Sequence, residues 1–153
     1  MKLLVRLPWF VAAMRRRTER DLERAARPST ADPVVRARTV RDPQAGPLLK
    51  ALLVSTFDRV ELRLPGTEND IRVTRTTTYP LEQMAVPVLV VHGTGDGSVP
   101  FTQHGKSLAA RIPAAELLAI EGGEHVAIFM HHNEVRARVT RFLREHLPPG
   151  AAP

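Results

Sequence analysis

Residues 87–100 read PVLVVHGTGDGSVP. The four residues 88–91 are apolar, three of them β-branched; they follow a proline and stop at His92-Gly93. A short unbroken apolar run between turn signals predicts a strand buried on both faces, as in a parallel sheet. Behind it comes a loop with three glycines, Gly93, Gly95 and Gly97, and one carboxylate, Asp96. In α/β sheets chemistry gathers in loops beyond the carboxyl ends of the strands, so Asp96 stands where a catalytic acid would be placed. A second strand is predicted over 116–120. Gly122-Gly123 after it makes the turn that presents His125. Asp96 and His125 are the candidate site residues.

Working outward, Thr102 is expected to cap a helix running to about 111, with Leu108 and Ala109 facing inward and Pro113 ending it. Strand, crossover helix and parallel strand form the repeating unit of α/β folds. A closing helix is predicted over 134–146, with Val135, Val139, Phe142 and Leu143 at helical spacing. Pro148-Pro149-Gly150 stops it, and the last residues are expected to fray.

Upstream, residues 80–84 make a short turn. Residues 64–79 read as a connector, with Pro65-Gly66 as a turn signal and a threonine-rich, extended stretch over 74–78. Residues 1–63 read as all-helical. Asp32-Pro33 and Asp42-Pro43 repeat one device: aspartate caps a helix, and proline suits the first helical position. They predict a short helix over 33–41. A longer one over 43–63 carries Leu48, Leu49, Leu52, Leu53 and Phe57 on its apolar side. Residues 18–26 read as a charged helix, with Thr18 and Asp21 at capping-box spacing. The opening MKLLVRLPWFVAAM is not patterned as a signal peptide. Arg6 and Pro8 interrupt it, and Arg15-Arg16-Arg17 stands where small residues would be needed. An amphipathic helix with Leu3, Leu4, Leu7, Phe10 and Val11 on one side is expected.

Taken together, PVLVVHGTGDGSVP, the following IPAAELLAIEGGEH and the terminal EVRARVTRFL helix resemble the C-terminal part of an α/β-hydrolase fold enzyme. The resemblance implies an α/β fold of two parallel strands with crossover and closing helices, preceded by a helical lid-like segment. The implied division is 1–79 lid-like segment and connector, 80–147 hydrolase core, and 148–153 tail. It also implies that Asp96 is the acid and His125 the base of a relay that hydrolyses a small ester, amide or related bond. A carboxylate accepting from Nδ1–H holds the histidine in one tautomer and stabilises the imidazolium that forms.

The family's nucleophile lies in a G-x-S-x-G turn, which this sequence lacks. Ser29, Ser55, Ser98 and Ser107 all fall outside a strand-to-helix elbow, so none is nominated as nucleophile. The oxyanion-hole loop is missing too. The family also includes aspartate-nucleophile enzymes acting on epoxides or haloalkanes, and the absent elbow leaves that branch open. The expectation is a fragment with little activity alone, whose small-molecule substrate belongs to a complete enzyme. An N-terminal half would supply the remaining strands, and without it the narrow sheet is expected to be poorly soluble.

Composition narrows the alternatives. With 43% hydrophobic and 25% charged residues the chain is an ordinary globular one, and 153 residues suffice for a sizeable core. There is no cysteine, which excludes disulfides, thiolate metal sites and a cysteine nucleophile. The net charge of +6 resides in residues 1–43, where eleven Lys/Arg meet five acids. A non-catalytic module using these basic helices is the alternative. No aromatic residues interleave with the arginines as a nucleic-acid platform needs, so no nucleic acid partner is expected. No apolar run approaches the ~20 residues of a membrane helix, and no membrane partner is expected. A cytoplasmic location is expected, although the lack of cysteine leaves the redox compartment undetermined.

Among other candidates, His131, His132 and Glu134 lack metal-ligand spacing, and no metal is expected. Asn69-Asp70 is read as a turn cap or a substrate contact, and His92 as a packed strand-end residue. The glycines of the Asp96 loop lack the lysine and spacing of a phosphate loop, and no cofactor is expected.

Overall fold

The computed structural model describes residues 7–148. The predicted apolar face at Leu3 and Leu4 and most of the 148–153 tail lie outside them. The chain divides into two compact units. One holds the described residues up to Pro28 together with Arg36–Tyr79; the other holds Ser29–Val35 and the chain from Pro80 onward. The boundary falls inside helix α3, Pro33–Arg41.

The first unit is helical. Helix α1, Pro8–Arg20, starts with Pro8 in its first turn, where a missing N–H loses nothing. Asp21 interrupts the predicted 18–26 helix. Its carboxylate accepts from the Arg24 amide at 2.9 Å and caps α2, Leu22–Ala25. Thr18 is buried inside α1, so it caps nothing. Asp42 accepts from Gln44 N and Ala45 N at 2.8 Å each, but Pro43 lies in the turn before α4, Ala45–Ser55, rather than at its first position. The core here gathers Ala26, Ala45 and Leu49, which is 0% exposed, and α1 packs on α2 and α4.

The single helix expected over 43–63 is two helices. Ser55 and Thr56 turn their hydroxyls back onto the Leu52 and Leu53 carbonyls, and Arg59 is left-handed at φ 49°. That residue is the N-cap of α5, Val60–Thr76. The expected connector over 64–79 is therefore mostly helix. Pro65 sits in the second turn of α5 and removes one intrahelical bond. Of the threonines that read as extended, Thr74 and Thr76 instead donate along the helix, while Thr77 ends it with extended backbone. Thr67, Thr74 and Thr76 bond the carbonyls of Arg63, Asp70 and Arg72. No residue of α5 is buried, so its apolar pattern gave no signal.

The second unit carries the sheet. Strands β1, Val88–Gly93, and β2, Ala115–Ile120, pair in parallel, with Val88 opposite Ala115 and Gly93 opposite Ile120. Helix α6, Gly105–Arg111, joins them and packs against both. A short α7, Ala127–Met130, follows the second strand, and α8, His132–His146, closes the unit. Val90, Ile112, Ile120, Val126, Ala127 and Met130 form its core.

Here too there are departures from expectation. β1 is not buried on both faces: only Val90 and Gly93 are buried, and Leu117 on β2 is 38% exposed. A two-stranded sheet has too few neighbours to cover both faces. Thr102 does not cap α6. The Gln103 and His104 amides turn back to the Pro100 carbonyl, and the helix starts at Gly105. Leu108 is exposed rather than inward-facing. The single turn of α7 was not anticipated at all.

Candidate active site

In a parallel pair the loops that follow both strands leave the same edge of the sheet. Hydrogen bonds join these two loops. Thr94 N donates to Ile120 O and Gly95 N to Gly123 O, both at 2.9 Å, while Gly122 N donates to Thr94 Oγ1 at 2.8 Å. Gly122 takes the left-handed conformation at φ 66°, which glycine adopts without strain.

The seam brings the two candidate residues together. His125 Nδ1 lies 2.9 Å from Asp96 Oδ2. The other oxygen, Oδ1, accepts from the Ser98 and Val99 amides at 2.8 Å each. A carboxylate only accepts, so the proton sits on Nδ1 and the lone pair on Nε2. The Asp96 side chain is 5% exposed and the His125 side chain 48% exposed. The acid is thus sheltered, and the imidazole is open to a reactant. A cleft of about 200 Å³ opens beside them, walled by Val91, Val99, Ala127 and Ile128. No serine or threonine lines it.

Residues 66–151, more than half of the chain, match the family described as TAP-like protein, an α/β-hydrolase family. The chain belongs to this α/β-hydrolase family. Both Asp96 and His125 lie inside the matched stretch.

The electrostatics of the pair follow from its partners. Burial pushes the Asp96 carboxyl up, but the Val99 amide, His125 and the Ser98 amide together hold it below the usual carboxylate range. Asp96 is therefore a fixed negative charge aimed at the imidazole. Next to His125, Glu124 also lines the cleft. Its two carboxylate oxygens accept from Ala31 N at 2.7 and 2.8 Å, tying Ser29–Val35 to the histidine loop. Sequence reasoning missed this tie, since nothing local relates residues 93 apart.

The remaining candidates are placed as follows. His92 packs edge-on against Phe101 at a centroid distance of 5.7 Å, and its Nε2 lies 2.9 Å from Val99 O. Asn69 and Asp70 lie within α5 and cap no turn; Asn69 Oδ1 accepts from Arg72 at 2.6 Å. His132 Nδ1 lies 3.2 Å from the Phe129 carbonyl. Among the described residues, the group with metal-ligating atoms close together is a different one, Glu116, Glu145 and His146, whose ligand atoms lie within 4.8 Å of one another. There Glu116 is already bonded by Arg138 and by His146 Nε2. No spacing rule links a strand residue to a helix end some thirty positions on, so this group leaves no local mark.

Proposed function

We propose that this chain carries the acid–base half of a hydrolytic relay, with Asp96 as the acid and His125 as the base. The observation that carries the reading is the 2.9 Å bond from His125 Nδ1 to Asp96 Oδ2 on a sheet edge with an open cleft beside it. His125 Nε2 takes a proton from an attacking hydroxyl and later returns it to the leaving group, while Asp96 holds the ring and stabilises the imidazolium. The substrate class is a small ester, amide or related bond.

The attacking group comes from outside this cleft, because no hydroxyl side chain lines it. Further strands, pairing on the half-buried sheet, would supply the elbow that presents it. In that arrangement the helical unit serves as a lid-like segment. In a well-characterised triad enzyme, loss of the serine lowers turnover by roughly 10⁶-fold, so this chain alone should be close to inert.

The test is hydrolysis of a p-nitrophenyl ester by the purified chain and by His125→Ala. Both should turn over at the background rate. Turnover at ordinary enzyme rates, abolished in His125→Ala, would put the nucleophile within this chain and overturn the external-nucleophile reading.

A further inference from the structure

His92 touches the site, yet the relay gives it no step. Its Nε2 lies 2.9 Å from the Val99 carbonyl and 3.5 Å from Asp96 Oδ2. Both of these atoms accept hydrogen bonds, so Nε2 carries the proton and the neutral ring is the Nε2–H tautomer. The same Val99 gives its amide to Asp96 Oδ1 at 2.8 Å. One peptide segment is thus gripped from both sides, by the carboxylate at its N–H and by the imidazole at its C=O.

The ring itself has little room to move. Phe101 meets it edge-on at an interplanar angle of 70°, and Gly105 lies so close to it that a Cβ there would come within 2.5 Å of ring atom Nδ1 and 2.7 Å of Cγ. Gly105 is buried at the start of α6. The β1 terminus, the acid loop and the α6 start therefore share one side chain.

We propose that His92 is a positioning residue whose Nε2–H holds the Val99 carbonyl, and through it the 96–99 loop, so that Asp96 Oδ2 faces His125. Its meaning for catalysis rests on the acid–base reading above; the contact itself can be tested without a reaction. The groups facing Asp96 are His125, His92 and the Ser98 and Val99 amides.

The experiment uses the full chain with labelled histidine and aspartate in solution NMR. Ring-nitrogen shifts report the tautomer of His92, and the Asp96 carboxyl carbon reports its titration. Two variants separate the donor from the bulk: His92→Gln keeps an N–H able to reach Val99, and His92→Leu does not. We expect the Nε2–H tautomer at His92. In His92→Leu the Asp96 midpoint should move up toward the ordinary carboxylate value, and His125 Nδ1–H exchange should speed up about tenfold, the scale of one lost hydrogen bond. His92→Gln should keep most of both properties.

An Nδ1–H tautomer at His92 would overturn the proposal. So would unchanged Asp96 titration and His125 exchange in His92→Leu. If His92→Leu does not fold, the tautomer and the retention in His92→Gln decide. Failure of the functional reading, seen as turnover at ordinary enzyme rates that is abolished in His125→Ala, would leave all of these readouts in place.

Discussion

Gly93 packs against the carbonyl of Gly123, with no room for a side chain between them. This contact joins the end of β1 to the turn after β2, and so sets how far Asp96 stands from His125. A Cβ on Gly93 would overlap the Gly123 peptide, which is backbone and cannot swing aside.

Gly93→Ala should therefore destabilise the fold by about 1–3 kcal/mol, the usual range for overpacking. Gly97, in the same loop, has open space around it. Gly97→Ala should stay within about 0.5 kcal/mol of the parent. Urea unfolding of the two variants side by side checks this; equal destabilisation would refute the close-approach argument.

The depressed Asp96 carboxyl makes stability depend on acid. Its folded value lies below its unfolded one, so the folded state holds the proton less tightly. The stabilisation is complete above the ordinary carboxylate value, about pH 4, and is lost as pH falls through the lower folded value. Asp96→Asn should flatten this acid limb, as read by thermal melting at stepped pH. An unchanged limb would mean that other carboxylates dominate it.

Glu124 holds the Ala31 amide with both carboxylate oxygens. Glu124→Ala should speed hydrogen exchange in Ser29–Val35 by about tenfold or more, the scale of a lost charge-assisted bond. Glu124→Gln, which keeps one accepting oxygen, should fall between. Exchange mass spectrometry of peptides covering 29–35 reads the effect, and identical protection in all three proteins would count against the tie.

Leu49 is fully buried at the centre of the helical unit. Leu49→Ala should cost about 2–5 kcal/mol. Exposed Leu48 and Leu52 beside it on the same helix should cost far less when truncated. Three comparable losses would show that the packing of α4 differs from that described.

Much of this architecture was legible residue by residue. The apolar run 88–91 and its partner strand, the caps at Asp32 and Asp42, and the glycine turn before His125 are local signals, each carried by a few adjacent residues. Where local signals conflict, reading fails. Pro65-Gly66 and the threonines of 74–78 argue against a helix, yet α5 runs through Pro65-Gly66 to Thr76, with the Thr74 and Thr76 hydroxyls on carbonyls one turn back, and only from Thr77 is the backbone extended.

The chain's own order of residues determined its α/β class, the position of its two strands and the identity of the carboxylate and imidazole beyond them. Tertiary structure alone decided the rest: that Val99 is held between Asp96 and His92, that Glu124 fastens to Ala31, and that Glu116 meets His146. The reason is physical. Strand and cap preferences arise from each residue's own backbone sterics and hydrogen-bonding groups. Contacts between residues far apart arise only when packing closes the chain on itself, and no local pattern records which groups will then meet.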